Sequence, residues 1–597
     1  MLEVMYELSK YIPPSPNRVE GVELDLVDAK HVLCIEFDDR GKYKDVSYEQ
    51  FHKSYPQKYL FKQRASNPPT YTPSLYLTET EKTLKHLTTI ISNLLKDSED
   101  KLIEDIYDEC EKNKKKIFSS IENHRSKLRE GKILITLKIG GKYLREVPNF
   151  VDALVASLKN NSRYLATKGK GVCSMCGEVK EVYGDNSPYA FYTLDKPGYI
   201  VGGMREDISW KNFPLCFECR SKLDAVRNYI EQKLTFSFAG NIEYHMIPYF
   251  FTDNRIFIRS VLGTISGSGK DVSVDRESYR NLTSDEREVH TIAKILNEQN
   301  VFSVTLMFLE VQQARETVRL LIQDVYPSRL KEIFNKKGEV DRWMEKIMSI
   351  GVYSISENYR KFMNALYVNT NNLMNFFTSR YNEVQSSDRF PFKKEFYKIV
   401  ESIFKSVPFD EKSLIRIYML SLRKLFNDPE RVNNFYLLVL RSYFLYVFVK
   451  LCVEGGSLMD QFSNLDDFLN SLKGLGDNPV AKGIFLTGVL AQQVLDYQKN
   501  KLGTRAFSSK LGGLILNKRD VMRILSQARN KLNEYGIFGK FSRKIFEKAS
   551  EILSSSDDWK MNIDEISYYF SLGLGMKKKV YNFLYQSDKE KKQGGVI

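Results

Sequence analysis

The spacing of apolar residues changes character several times along the chain. Residues 1 to about 75 mix short apolar runs with Pro- and Tyr-rich connections, a pattern of small strands. From Leu77 to about Arg129, residues such as Leu84, Leu87, Ile90, Ile91 and Leu94 recur at three- and four-residue steps, which predicts helices burying one face. Lys132–Ile139 (KILITLKI) reads as a strand stopped by Gly140-Gly141. Between about Lys168 and Arg220 lies an island rich in Cys, Gly, Pro and aromatic residues, whose interior, YAFYTLDKPGYIVGGM, suggests short strands joined by turns. A helical stretch then runs to about Lys233. Leu234–Ala239 and Ile242–Ile247 alternate around Gly240-Asn241, two residues that tolerate positive φ, so a β-hairpin is expected. From about Ser278 onward nearly everything reads as helix, with breaks near Pro327, Pro391, Pro408 and the glycines at 455–456 and 474–476.

The fold class expected is therefore α+β. A mixed α/β region spans 1–165, the Cys-rich module and hairpin 166–275, a mainly helical domain 276–460, and a basic helical bundle 461–597. A length of 597 residues fits two to four domains, and 42% hydrophobic with 27% charged residues excludes disorder as the main state. Phe435–Val453 is the most apolar long stretch, but Arg441 and Lys450 interrupt it, so a buried helix is expected there and no membrane span. Seven cysteines are too few for a secreted disulfide framework, and Met1–Pro14 lacks the run of a signal peptide; the expected location is cytoplasmic.

The sharpest chemistry is Cys173-x-x-Cys176 paired with Cys216-x-x-Cys219. Two such knuckles let four thiolates close tetrahedrally on one Zn²⁺, and a shell filled by four sulfurs leaves no position for a catalytic water. A structural zinc ion is expected, with the 39 residues between the knuckles forming a β-rich excursion in a zinc-ribbon-like module. A dithiol redox pair or four unrelated buried cysteines are the alternatives. No catalytic centre is legible. Ser266-Gly-Ser-Gly-Lys270-Asp271 lacks the first Gly and the Ser/Thr of a phosphate-binding loop, and six histidines never form an HxH, HD or HExxH arrangement. The chain is expected not to be an enzyme.

The net charge of +14 makes a polyanionic partner plausible, and its distribution sharpens that expectation. From Lys501 to Ile597 there are 19 Lys or Arg against 10 Asp or Glu, an excess of nine in roughly the last sixth of the chain. Arg519, Arg523, Gln527 and Lys531 fall at successive i+4 positions, away from Val521, Ile524, Leu525 and Leu532. Lys540, Lys544 and Lys548 repeat the arrangement, and Lys577-Lys578-Lys579 adds a third cluster. Read singly, each is a solvated helix face; together they favour a track for a phosphate backbone.

The order Cys173-Ser-Met-Cys176-Gly, Phe191-Tyr-Thr-Leu-Asp-Lys-Pro-Gly198, Asn212-Phe-Pro-Leu-Cys216-Phe-Glu-Cys219 and the Phe238–Pro248 hairpin resembles the large subunit of subtype I-B CRISPR Cascade complexes. Lys482-Gly-Ile-Phe-Leu-Thr-Gly-Val-Leu-Ala491 and Ile566-Ser-Tyr-Tyr-Phe-Ser-Leu-Gly-Leu-Gly575 are similar to that family's closing helices. The resemblance covers about 165–590. It implies an RNA-guided surveillance complex in which guide pairing reads the target. The large subunit then reads a short motif in target double-stranded DNA, helps open the duplex, contacts the displaced strand and recruits a separate helicase-nuclease. Its partners would be the guide crRNA and the other Cascade subunits: backbone, small and crRNA-processing. In that family the C-terminal helices look like the small subunit, which can also arise from an internal start; Met459 lies just before them here. Candidates for contacting DNA near the motif are Asn241 at the hairpin tip, Arg163, Lys168 and Lys170 before the first knuckle, and Lys196 and Arg205 in the inserted loops, each with a plain turn or surface role as its alternative. A type III effector large subunit would need a GGDD turn for cyclase activity and a His-Asp pair for nuclease activity, which the sequence lacks. A zinc-containing RNA-processing protein is supported by charge alone.

Overall fold

In the computed structural model, which describes all residues except 13–16, 54, 65–66, 129, 161–164, 185–186, 193, 195–204, 239–241, 268–299, 313–314, 353, 355, 379–389, 429–431, 460, 557 and 595–597, the chain folds as two units. The first comprises Met1–Lys233 together with Val311–Thr317. It begins with α1 (Leu2–Leu8) and a two-stranded ribbon, β1 (Arg18–Val19) and β2 (Val22–Glu23). Strands β3 (His31–Phe37), β4 (Tyr43–Gln50), β5 (Leu75–Tyr76), β6 (Ile133–Ile139) and β7 (Lys142–Tyr143) build one sheet in the order β4-β3-β6-β5, with β7 paired to β6. Between β5 and β6 run α2 (Thr80–Ser98), α3 (Lys101–Lys112) and α4 (Lys114–Arg125), and α5 (Pro148–Lys159) follows β7.

The near-continuous apolar reading of β3 and β6 has a structural cause. The two lie side by side, parallel, with Leu33 opposite Ile135 and Ile35 opposite Leu137, and both faces are covered. Leu33, Ile35 and Phe37 join Leu84, Leu87, Ile91 and Phe150 in the main core, while Val32, Cys34 and Leu134 on the opposite face meet Tyr59 and Phe61. Gly140 sits at φ +56°, and a Cβ there would fall 1.7 Å from the Asp39 carboxylate, so the turn that ends β6 requires glycine.

The second unit comprises Leu234–Glu310 and Val318–Ile597. Strands β10 (Thr235–Phe238), β11 (Ile242–Phe250), β12 (Phe302–Gln312) and β13 (Arg315–Val325) form a sheet in that order, and α6 (Phe217–Lys233) of the first unit precedes them in the chain. β10 and β11 are the expected hairpin; their turn lies outside the described residues. Phe302–Val325, read from its pattern as helix, is instead two strands. Residues of β12 pair antiparallel with β11, Tyr244 opposite Phe308 and Phe250 opposite Phe302, and seven consecutive positions from Phe302 to Phe308 are buried. A dense apolar run of this kind satisfies helix and buried strand alike until its pairing partner is known.

The remainder is helical: α7 (Arg255–Gly267), α8 (Pro327–Ser349), α9 (Glu357–Leu366), α10 (Thr370–Asn375), α11 (Lys393–Lys405), α12 (Glu411–Phe426), α13 (Val432–Glu454), α14 (Leu465–Ser471), α15 (Pro479–Leu502), α16 (Lys518–Glu534), α17 (Lys540–Ser554) and α18 (Ile563–Gly594). Asn434–Glu454 is, among the described residues, the one helix long and apolar enough to cross a membrane, and 72% of its apolar window is buried inside the protein. Its two cations have internal partners. Arg441 donates to the Ala365 carbonyl at 2.7 Å, and Lys450 pairs with Glu411 at 3.2 Å.

The two C-terminal segments that carry the resemblance pack against each other. A Cβ on Gly488 of α15 would lie 2.2 Å from the Phe570 carbonyl oxygen, and one on Gly573 of α18 would lie 2.0 Å from that of Phe485. These glycines let two helix backbones touch, a contact that any side chain would hold open.

Candidate metal centre and basic surfaces

β8 (Lys168–Val172) and β9 (Val179–Tyr183) form an antiparallel ribbon whose turn carries the first knuckle. The Cys173 N–H donates to the Glu178 carbonyl and the Gly177 N–H to the Cys173 carbonyl, both at 2.9 Å, with Gly177 at φ +73°. The second knuckle is brought alongside by backbone bonds from Ser174 N–H to Pro214 O at 2.8 Å and from Tyr183 N–H to Leu215 O at 3.0 Å. Cys216 then leads into α6, where the Arg220 N–H returns to the Cys216 carbonyl at 3.0 Å. The Trp210 ring covers the ribbon: a Cβ on Gly169 would lie 2.2 Å from it and one on Gly171 2.9 Å.

This architecture gathers the Sγ atoms of Cys173, Cys176, Cys216 and Cys219 within 4.8 Å of one another. Tetrahedral zinc–sulfur bonds of about 2.3 Å require sulfurs roughly 3.8 Å apart, so the donor set fits a four-thiolate zinc site. Three of the four cysteines are buried and Cys176 is half-buried. Burial works to raise the Cys173 thiol, but N–H groups of Cys176, Cys216 and Met175 directed at the sulfur outweigh it and bring it down to about 7. The Cys216 N–H lies 3.4 Å from that sulfur. Burial pushes the Cys216 thiol up and the Cys219 thiol up to about 11, so those protons would leave as the metal binds. Tyr6 of α1 hydrogen-bonds Cys219, and burial followed by that bond pushes its hydroxyl up to about 12. Nothing in the sequence pattern pointed to Tyr6, which lies some 170 residues from the first knuckle. Cys34, Cys110 and Cys452 are each buried elsewhere, with thiols pushed up to about 12 by burial.

Of the candidate motif contacts, Arg163, Lys196 and Asn241 lie outside the described residues, as do positions 268–271 of the Gly/Ser loop. Lys168 is paired with Glu181 across the ribbon, Lys170 is exposed, and Arg205 is bound to Asp207 at 3.1 Å.

The C-terminal cations fall into distinct environments. On α16, Val521, Ile524, Leu525, Ala528 and Leu532 are buried as the spacing required. Its outward stripe is largely neutralised, with Arg523 on Asp520 at 2.8 Å and Lys531 on Glu534 at 2.7 Å, while Arg519 stays exposed. On α17, Lys540 pairs with Asp588 and Lys548 with Asp466 at 3.1 Å; Lys544 is exposed. Lys577-Lys578-Lys579 does not form one cluster, because successive helical residues point about 100° apart. Lys577 pairs with Asp496 at 3.0 Å and Lys578 is exposed. Lys579 turns inward to the Met348 and Ile350 carbonyls that end α8, the latter at 3.1 Å, and burial together with Lys578 lowers it to about 8. On α16 and α17 the spacing missed two exposed cations: Arg529, whose guanidinium lies 5.1 Å from the Phe546 ring centre, and Arg543. Both sit off the i+4 stripes.

Three sequence families match consecutive parts of the chain. They are the N-terminal, central and C-terminal domains of CRISPR-associated protein TM1802 (cas_TM1802), over residues 1–156, 170–325 and 368–589. The chain belongs to the TM1802 family of CRISPR-associated proteins. The central TM1802 domain contains both cysteine knuckles and the four-stranded sheet, and the C-terminal one contains the Gly488 and Gly573 helix contact. No curated protein matches the chain.

Proposed function

We propose that this TM1802-family chain is the large subunit of a type I-B Cascade, a guide-RNA surveillance complex, and that it catalyses no reaction itself. The observation that carries the reading is the match of all three TM1802 domains in order, joined to the resemblance in the knuckles and closing helices. In this role Cys173, Cys176, Cys216 and Cys219 hold a structural Zn²⁺, which when bound crosslinks the β8–β9 ribbon to the start of α6. The crosslinked module displays the segments around it to a short motif in duplex DNA. Exposed C-terminal cations, Arg519, Lys544 and Lys578 with Arg529 and Arg543, attract the phosphates of the displaced strand without reading its bases. Guide crRNA pairing supplies sequence choice, backbone, small and crRNA-processing subunits complete the assembly, and a separate helicase-nuclease cuts.

Co-expression with a CRISPR array and the neighbouring subunits tests this. A guide RNA with repeat-derived ends should copurify with the chain, and the assembly should prefer motif-bearing duplex. A chain that purifies without guide RNA and itself cleaves or polymerises nucleotides would overturn the reading.

A further inference from the structure

Most aromatic residues of the second unit are buried in its sheet and helices. An exception sits where β11 runs into α7. Phe251 is 51% exposed, and its ring centre lies 6.2 Å from that of Tyr326, which is 38% exposed and tilted by 38° to it. Tyr249 supports Phe251 from the side, edge-on, at 5.5 Å. The backbone holds this arrangement still. The Phe251 N–H donates to the Val301 carbonyl at 2.8 Å, Tyr326 is the residue before Pro327 at the start of α8, and Asn254 caps α7 through the N–H groups of Ile256 and Phe257 at 3.1 and 3.2 Å.

The helix that begins four residues later is cationic on the outside. α7 buries Ile258, Val261, Leu262 and Ile265, and exposes Arg255, Arg259 and Ile256, the last at 84%. It contains no Asp or Glu, and among the described residues neither arginine has an acidic partner. Two fixed, exposed rings beside two unpaired guanidinium groups on successive turns of one helix combine the two things an unpaired nucleic-acid strand offers: a base with a flat face and a phosphate on either side of it. An apolar protein partner would use Ile256 and the rings but would leave both arginines unanswered, which favours the strand.

We infer that Phe251 and Tyr326 form a stacking platform for a base of single-stranded nucleic acid, with Arg255 and Arg259 holding the adjoining phosphates. The inference deepens the reading above and rests on it, since it names where an opened strand is gripped.

Full-length chain can be titrated with a labelled oligothymidylate and with an abasic deoxyribose-phosphate chain of the same length. Phe251→Ala should weaken oligothymidylate binding about tenfold while leaving the abasic chain nearly unchanged, and Phe251→Trp should restore binding and lose fluorescence as bases stack. Arg255→Gln with Arg259→Gln should weaken both chains and flatten the salt dependence. Equal losses on both chains after Phe251→Ala, or no loss, overturn the platform while the wider function stands. If Phe251→Ala instead spares oligothymidylate and releases a protein subunit from the assembly, the patch is a protein interface and the inference fails. A wild-type chain that binds neither oligomer, alone or assembled, removes the proposed function and the platform together.

Discussion

With a metal bound as proposed, the cysteine module and the C-terminal helices are held together in opposite ways. The module has little apolar interior of its own: its ribbon alternates toward solvent, leaving Val172 and Val179 exposed, and its chain converges on four sulfurs. In the C-terminal region α13, α15 and α18 bury apolar side chains along most of their described length, α15 and α18 touch backbone to backbone, and Lys579 of α18 turns inward to finish a helix end. Stability concentrated in a few covalent-strength ligands is lost all at once, whereas stability spread over an interlocked surface is lost in increments.

The largest effect should therefore come from a single sulfur. Cys216→Ser removes one of the four thiols proposed to hold the metal, while the backbone N–H that serves the Cys173 sulfur stays in place. Structural zinc sites contribute on the order of 10 kcal/mol to the folding of small domains. The variant should purify without zinc and melt at a lower temperature, with the change confined to the first unit. Metal analysis decides it: undiminished zinc in the variant would remove the metal from the account.

In the helical region the sharpest single change is Gly573→Ala. Its new methyl would sit 2.0 Å from the Phe485 carbonyl oxygen, backbone that cannot swing aside, so the two helices must separate. A loss of about 2–4 kcal/mol is expected, read from the urea midpoint. Gly575→Ala, two residues on, meets side chains alone, the nearest atom being Val439 Cγ1 at 3.2 Å, and should cost less. Equal midpoints for the two variants would mean that close backbone approach does not organise this interface.

The same contrast explains what could be read from the residues. Four thiols at knuckle spacing have few uses other than a metal, so the gathering of the four sulfurs was legible although its two halves lie far apart in the chain. The strand ended by Gly140-Gly141, the helices from Thr80 to Arg125 and the Thr235–Phe250 hairpin were legible because period and turn chemistry agree locally. Phe302–Val325 was not, since its strands exist by pairing with β11, which no local pattern encodes. Tyr6 reaches Cys219 through tertiary packing alone. Lysine and arginine were the least legible: one charge can end a helix like Lys579, answer a carboxylate like Lys531, or stand free like Arg519, and sequence spacing does not tell these fates apart.

That ambiguity yields the smallest but most discriminating effect. Counterion release from a single strand contributes a salt slope of about 0.7 per phosphate contact, and only a cation free to leave its own protein can make one. Arg519→Gln, Lys544→Gln and Lys578→Gln should each reduce the slope of log affinity against log salt by up to about that amount. Lys531→Gln and Arg523→Gln, which remove cations already facing Glu534 and Asp520, should change it by much less, and exposed pairs of this kind contribute roughly 0.2–1 kcal/mol to stability at most. The measurement is a salt titration of each variant against one unpaired oligonucleotide. If paired and unpaired cations shift the slope alike, the surface pairs open freely on binding, and the whole stripe, not its exposed members, is the track.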